Sequence, residues 1–245
     1  MHVGAWQLVM LAGVGAVAGF INVMAGGGSL LTMPAMIFMG LPPATANGTN
    51  RVALLVQNAA VVGEFRRLGF SDARTSLGLA LCTVPGAVAG AVAAVRVDPL
   101  TFRRLLALVM VGVLAAVLAP RPRPRAGRPN RLAAHLAMIG VGFYGGFMQA
   151  GVGFLIIATL YRLLGLGLVH INMHKVFIIM VYTVPSLAVF AASGDVVWLV
   201  GLVLGAGNVL GGWAGTRFQV ARGERVVRIV LVAAVLAMAA RLVLP

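Results

Sequence analysis

The chain has 245 residues, of which 61% are hydrophobic and only 10% are charged. With a mean hydropathy of +1.02, this composition excludes a soluble globular domain and predicts an integral membrane protein. A net charge of +14 would indicate nucleic-acid binding in a soluble chain. Here most arginines lie between apolar runs, where they fix cytoplasmic loops and contact anionic headgroups, so we expect membrane lipids and no nucleic acid as partners.

Five apolar segments make up the first half of the chain, and the second of them is too short to span a bilayer comfortably, since a crossing takes about 20 residues. The first segment has no basic leader or small-residue cleavage site, so we interpret it as a retained helix. A basic, proline-rich stretch from Pro120 to Arg131 predicts an extended, solvated linker. The segments are residues 5–24, 29–40, 46–65, 76–95 and 102–119.

A shift of 125 residues aligns the two halves without a gap. It places Gly28 on Gly153 and Asn47 on Asn172, in a register kept over most of each half. We therefore predict an all-α protein of eight to ten membrane helices, some of them broken or re-entrant, built as a duplication. The predicted parts are a first transmembrane repeat at 1–120, the basic cytoplasmic linker at 121–131 and a second repeat at 132–245.

The number of crossings decides how the repeats are related. Five crossings would insert the copy upside down, which gives the inverted repeat of many secondary transporters, whereas a re-entrant second segment would also allow parallel halves. With the linker in the cytoplasm, Arg66, Arg67 and Arg74 also fall inside and Asp195 falls outside. Only the loop around residues 96–104 then places positive charge on the external side of the membrane. We expect an inverted repeat.

Three consecutive glycines, Gly26, Gly27 and Gly28, precede Ser29 between two apolar runs, and residues 151–153 repeat the interruption. Non-helical backbone at membrane depth survives only where protein or a water-filled cavity satisfies it. Paired interruptions of this kind indicate a transporter's binding site, and N–H groups at a helix start favour an anion. The alternative is close helix packing, which favours spaced small residues over adjacent ones.

A second paired motif places one cation in each half. Asn47 and Thr49 are predicted to cap a helix that opens with Arg51, and in the copy Asn172 precedes Lys175, the only lysine of the chain. An ionisable residue inside a membrane segment is functional by default, although a cation near a helix end can also extend its side chain to the interface.

The acidic residues indicate the sign of the substrate's charge. A carrier of metal cations, or a carboxylate proton relay, would need a carboxylate within a membrane segment. Here every acid falls in a predicted loop or at a segment end, so the sequence predicts a small anion as substrate. The five acids are Glu64, Asp72, Asp98, Asp195 and Glu224.

The stretch GAVAGFINVMAGGGSLLTMPAMIFMGLPPATANGTNRVALLVQN, with the weaker GGFMQAGVGFLIIATL and NMHKVFIIMVY in the second half, resembles the sulfite exporter TauE/SafE family, also called the 4-toluene sulfonate uptake permeases. The resemblance covers essentially the whole chain. It implies a secondary transporter and not an enzyme, in the bacterial cytoplasmic (inner) membrane. The implied activity is export of sulfite, thiosulfate or organosulfonates such as sulfoacetate, driven by protons or another coupling ion, with no cofactor and no metal.

By motif position, the resemblance also implies a set of residues along the substrate path in both halves. The second half departs from the glycine-rich pattern, since Val152 and Phe154 replace Gly27 and Ser29, so equivalent anion contacts in the two halves do not follow. The implied substrate-binding residues are Asn22, Gly26, Gly27, Gly28, Ser29, Asn47, Thr49, Asn50, Arg51, Asn58, Gln149, Gly151, Gly153, Asn172, His174 and Lys175.

Two other kinds of site deserve weighing. Ser29 with His174 would suggest an intramembrane serine hydrolase, but no G-x-S-x-G pattern is present. His170 and His174 are four residues apart and could share a metal, although no third ligand is near in sequence. His174 could instead couple protons to transport. The sequence leaves open the exact substrate, the coupling ion, whether the protein is a carrier or a channel, and whether it forms a dimer.

Overall fold

The computed structural model describes residues 4–118 and 129–222, and in these ranges it is helical with no strand. This confirms the predicted all-α class. Most of the predicted linker, the last apolar segment and Glu224 lie outside the described residues. The described helices are α1 (Ala5–Ala25), α2 (Ser29–Phe38), α3 (Pro43–Arg67), α4 (Ala73–Ala94), α5 (Pro99–Leu118), α6 (Arg131–Phe147), α7 (Val152–Leu164), α8 (Leu168–Ala192) and α9 (Trp198–Arg222).

Length and composition suit several of these helices to a bilayer. Trp6–Ala25, Ala73–Ala94, Leu168–Ala192 and Trp198–Ala221 are each long and apolar enough to cross it. The helices α2 and α7 are apolar but have only 10 and 13 residues, so each is too short to cross alone. The short second segment of each half is thus present as a short helix directly after the glycine interruption.

The start of α3 differs from the sequence-based expectation. Pro42 is the N-cap residue and Pro43 takes the first helical position, so the helix begins before Asn47 and Thr49. Proline suits this position because its fixed φ is helical and it has no N–H group to leave unpaired. The prediction that Asn47 and Thr49 cap the helix is therefore wrong, and both side chains lie buried within its first two turns.

Two pairs of corresponding helices in the two halves begin 125 residues apart. The helices α3 and α8 start at Pro43 and Leu168, and α4 and α9 start at Ala73 and Trp198. The pairs of packed helices correspond as well, because α1 packs on α9 while their counterparts α6 and α4 pack on each other. Each half therefore places its first helix against the fourth helix of the other half. The division into repeats at the linker stays a prediction.

Three helices, α1, α3 and α9, run in the same direction. In both of their packed pairs, the numbers of the residues in contact rise together along the two helices. These contacts join Gly15 to Leu204 and Gly19 to Asn208 between α1 and α9, and Val52 to Gly201 and Val61 to Gly212 between α3 and α9.

Their counterparts α6, α8 and α4 form a second parallel group. Here too the residue numbers rise together in each packed pair. The contacts join Thr83 to Gly142 and Ala87 to Gly146 between α4 and α6, and Ser76 to His174 and Ala87 to Ser186 between α4 and α8.

The two groups run in opposite directions, which the contacts between α3 and α8 show. Arg51 lies over the ring of Phe190, whereas Phe65, further along α3, packs in one cluster with Val176, which comes earlier on α8. Since α3 and α8 are antiparallel, α1 and α6 are antiparallel too, and so are α4 and α9. These are the helix directions of an inverted repeat.

Glycines let the swapped helices approach at backbone distance. A Cβ atom at Gly142 of α6 would overlap the carbonyl oxygen of Thr83 on α4, and one at Gly146 would overlap that of Ala87. At Gly140, on another face of the same helix, the position of a Cβ atom has no neighbour within 4 Å. Close approach of this kind is the usual way in which helices associate in lipid, where no hydrophobic effect draws them together.

We expect Gly142→Ala to lower the stability of the protein by about 1–3 kcal/mol, because the added methyl group forces α4 and α6 apart. The matched change Gly140→Ala should leave stability unchanged or raise it, since alanine favours a helix over glycine. Thermal unfolding in detergent measures both. An equal melting temperature for the two variants would contradict the close contact between α4 and α6.

Candidate functional site

The two glycine interruptions meet in the folded chain. Gly26, with a left-handed φ of 83°, ends α1, and Gly151, with a φ of 73°, precedes α7. The backbone of Gly26 touches that of Gly153, so that a Cβ atom on either would overlap the other. Close contact between the halves therefore accounts for Gly26 and Gly153, and their part in substrate binding stays a prediction.

The first turn of α2 begins next to this contact. Gly28 is the N-cap residue and packs against the carbonyl oxygen of Ala18 and the Cβ atom of Asn22. An α-helix leaves its first N–H groups without intrahelical acceptors. The Ser29 hydroxyl oxygen accepts a hydrogen bond from Asn50 Nδ2 (3.0 Å), and Asn50 Oδ1 accepts one from Thr32 (2.6 Å). These bonds attach the start of α2 to α3.

Arg51 of α3 reaches across to the end of α6. Its guanidinium group donates to the carbonyl oxygens of Gly145 (3.1 Å) and Gly146, and to Gln149 Oε1 (3.1 Å). The amide of Asn47, one turn earlier, donates to the carbonyl oxygen of Phe147 (2.7 Å). The last carbonyls of a helix lack intrahelical donors and carry the negative end of the helix dipole, so a cation and an amide stabilise this end.

Lys175 of α8 does the same for the end of α1. Its ammonium group donates to the carbonyl oxygens of Asn22 (3.0 Å) and Val23 (2.8 Å) and to Asn172 Oδ1 (2.7 Å). The amide of Asn172 in turn donates to the carbonyl oxygen of Met24 (3.2 Å). Each half thus caps the broken first helix of the other half with one asparagine and one cation, and this contact joins the two halves.

The two cations differ in whether they keep an N–H group that has no hydrogen-bond acceptor. Lys175 uses all three N–H groups of its ammonium in these contacts. Arg51, which is fully buried, keeps its Nε atom without a partner among the described residues, and Phe190 lies 4.6 Å from its guanidinium carbon. Arg51 therefore retains a donor that a ligand could use, whereas Lys175 retains its charge alone.

Two further side chains at this centre were not singled out as site residues from the sequence. Gln57 accepts from Asn22 Nδ2 (3.3 Å) and donates to the carbonyl oxygen of Gly19 (3.2 Å). Tyr182 donates to Gln149 Oε1 (3.3 Å), which also accepts from Arg51. Gln57 and Tyr182 are 125 residues apart, so extending the repeat register along α3 and α8 would have indicated the pair.

Thr49 and His174 lie near opposite ends of the α3 and α8 pair. The Thr49 hydroxyl accepts from the backbone N–H of Val197 (3.0 Å), in the turn before α9. His174 Nδ1 lies 2.7 Å from the hydroxyl of Ser76 on α4. The structure therefore pairs Ser29 with Asn50 and His174 with Ser76, which gives no support to Ser29 and His174 as a nucleophile and its base.

A cleft opens beside His174, between the turn from α3 to α4 and the start of α8. It lies at the end of the molecule that carries Arg66, which the charge distribution predicts to face the cytoplasm. A hydrogen bond from the Thr75 backbone N–H holds the pKa of Asp72 below its ordinary value, so this carboxylate is charged at neutral pH. The cleft is lined by Val62, Phe65, Arg66, Phe70, Ser71, Asp72, Ala73, Ser76, Met173 and Phe177.

The acids in the described ranges have structural partners. Glu64 is buried and accepts from Arg217 of α9 at 2.7 Å. Asp98 accepts from backbone N–H groups at the start of α5, and Asp195 accepts from the Thr45 hydroxyl (2.9 Å). In residues 4–118 and 129–222, no three His, Cys, Asp or Glu side chains are grouped so that they could hold a metal ion.

Broken helices whose ends meet at glycines, apolar helices that cross a bilayer, and buried cations shared between oppositely directed halves together define a multi-pass membrane transporter. The sequence profile of the family described as "Sulfite exporter TauE/SafE" matches residues 11–242. The chain therefore belongs to the TauE/SafE family, as the motifs had indicated, and it is a transporter and not an enzyme.

Curated relatives carry the same general description. "Probable membrane transporter protein ORF9" of Sinorhizobium sp is 30% identical over 92% of this chain and 88% of its own. A "Probable membrane transporter protein" of Haemophilus influenzae is 29% identical over 99% and 97%, and "Probable membrane transporter protein YfcA" of Escherichia coli K12 is 31% identical over 91% and 85%. No solved structure matches the chain significantly.

We expect Lys175→Met to destabilise the protein by about 3 kcal/mol or more, because the carbonyl oxygens of Asn22 and Val23 would stay buried without donors. Arg103→Met, which removes an exposed cation near the start of α5, should change stability by less than about 0.5 kcal/mol. Thermal unfolding of both variants in detergent tests this. If both variants melted at the same temperature, Lys175 would not be a structural cap.

Proposed function

We propose that this protein exports small sulfur-containing anions, such as sulfite, thiosulfate or a sulfoacetate-like organosulfonate, across the bacterial cytoplasmic (inner) membrane. The anion binds between the two repeat motifs, and the protein works by alternating access, driven by protons or another coupling ion. The main support is the pair of buried cations, Arg51 and Lys175, whose partners in the described residues are carbonyl and amide oxygens and no carboxylate.

Two buried charges of one sign favour an anion between them. In a medium with an effective dielectric constant of about 20, a unit charge 8 Å from an anion contributes roughly 2 kcal/mol. The carbonyl dipoles at the ends of α1 and α6 hold the cations in place but carry no net charge to neutralise them. A compact oxyanion would compensate both positive charges, whereas a metal cation would be repelled.

The start of α2 supplies directional donors for the same anion. The N–H groups of Gly28, the N-cap residue, and of Ser29, the first helical residue, lie at its start, and the positive end of the helix dipole lies there. Helix starts of this kind bind sulfate, phosphate and carboxylate groups. Since α7 carries Val152 and Phe154 at the matching positions, we assign the principal anion contacts to α2 and Arg51 rather than equally to both halves.

Alternating access requires contacts between the two halves that can rearrange. The caps by Arg51 and Lys175 join α3 to α6 and α8 to α1, and every one of these contacts crosses from one repeat to the other. A substrate bound where the halves meet would shift the equilibrium between the inward-open and the outward-open arrangement only through contacts that differ between these two arrangements. The glycine junction at Gly26 and Gly153 is such a place.

We expect sulfite, thiosulfate or sulfoacetate to raise the melting temperature of the purified protein in proportion to the logarithm of its concentration. A ligand at 100 times its dissociation constant contributes about 2.7 kcal/mol, because it binds the folded state alone. Chloride, the zwitterion taurine and Ni²⁺ are the controls, measured in detergent at constant ionic strength.

Stabilisation by Ni²⁺ alone would contradict the anion carrier and favour the alternative of a transporter for another small ligand, such as a metal cation. Stabilisation by a sulfur oxyanion should be followed by efflux of the ³⁵S-labelled anion from proteoliposomes, which distinguishes transport from binding.

A further inference from the structure

Two buried polar side chains without partners lie on α3 and α8. Asn58 and Thr183 each lie fifteen residues after the first residue of their helix, at equivalent positions of the two repeats. Both are fully buried. Neither polar atom of the Asn58 amide, nor the Thr183 hydroxyl, has a hydrogen-bond partner among the residues that the structure describes. Burying such groups without partners is unfavourable, so a fold retains them only for a reason beyond stability.

The helix geometry places these two side chains opposite one another. On α3, Arg51, Asn58 and Phe65 follow at intervals of seven residues and share one buried face. On the antiparallel α8, Phe190, Thr183 and Val176 do the same. Arg51 lies over Phe190 at one end, and Phe65 packs with Val176 at the other. The middle members, Asn58 and Thr183, therefore face each other where the two helices cross.

The cytoplasmic cleft leads toward this crossing. Phe65 lines the cleft together with Val62 and Met173, and it also forms part of a buried apolar cluster with Val23 and Val176. Asn58 is the next residue of the α3 stripe beyond Phe65, about 10 Å further along the helix. On α3, residues of this apolar cluster therefore come between the cleft and Asn58.

Positive charge lies on both sides of the pair. Arg51 is about 10 Å along α3 from Asn58, and Lys175 is about 12 Å along α8 from Thr183, on the other side of the crossing. An amide N–H and a hydroxyl are neutral donors that hold an oxyanion less tightly than a charged group does. A weak, neutral contact between two fixed cations therefore suits an anion that must move through the protein without being held tightly.

We propose that Asn58 and Thr183 form a contact point for the transported oxyanion at the crossing of α3 and α8, reached from the cleft when the layer of Phe65 and Val176 opens. The inference rests on the proposed function and adds Thr183 as a residue of the transport path. The oxyanion accepts hydrogen bonds from the Asn58 amide nitrogen and the Thr183 hydroxyl, which gives an acceptor to two donors that otherwise lack one.

The test compares Thr183→Val and Asn58→Leu with the wild-type chain in proteoliposomes, by efflux of ³⁵S-labelled sulfite and thiosulfate per inserted protein. We expect a loss of at least about tenfold in rate, since each change removes one hydrogen bond to the ion. The melting temperature should stay equal or rise, because an unpartnered polar group has been removed. Thr183→Ser should keep most of the rate because it keeps the hydroxyl.

Thr216→Val is the matched control, because Thr216 is also fully buried but its hydroxyl already donates to the Gly212 carbonyl oxygen (2.7 Å) within α9. It should keep wild-type transport. Normal transport by Thr183→Val and Asn58→Leu would overturn this inference and leave the proposed function standing. A fall in melting temperature of more than about 4 °C in both variants would mark the groups as structural and also overturn it. A wild-type chain that moves neither anion, and does not move labelled sulfoacetate either, would overturn the proposed function, and this inference with it.

Discussion

Backbone carbonyl groups at the end of a helix that stops inside a membrane protein must find donors, and lipid offers none. In this chain α1 and α6 both end at such interruptions, and the donors come from the opposite half: Asn172 and Lys175 for α1, Asn47 and Arg51 for α6. The rest of the arrangement depends on this exchange. It explains why the most deeply buried cations lie in the helices that follow the short segments, and why each is preceded by an asparagine.

The same exchange decides which parts of the molecule can move separately. Each first helix packs along the fourth helix of the other repeat through backbone contacts at glycines, such as Gly142 with Thr83, while its end is capped by the third helix of that repeat. Separating the repeats as sequence units would break both kinds of contact at once. If the protein works by the proposed alternating access, the moving bodies are therefore expected to be mixed sets of helices, with the crossing of α3 and α8 and the junction of Gly26 with Gly153 lying between them.

Periodicity and the 125-residue register were enough to predict the all-α class, the short second helix and the approximate bounds of the other helices. The same register aligns Gln57 with Tyr182 and Asn58 with Thr183. The two residues of each aligned pair differ in type, so only their positions correspond. The partners of Arg51 could not be predicted, because backbone carbonyls carry no mark in a sequence. Asn47 and Thr49 resembled helix caps because Asn and Thr are common at the N-cap position, whereas the helix already begins at Pro43, with Pro42 as its N-cap.

The two cations differ in their contacts although they lie at similar places in the two repeats. Lys175 donates two of its N–H groups to the end of α1 and the third to Asn172, whereas Arg51 has five N–H groups and keeps its Nε atom without a partner in the described residues. The glycine turn that Arg51's own repeat contributes retains Gly27 and Ser29, whereas its copy has Val152 and Phe154. A spare donor and a glycine-rich helix start therefore occur together in the first repeat, while the second supplies charge and packing. The symmetry that builds the scaffold need not extend to the anion, and the first repeat is the half in which its contacts should be sought.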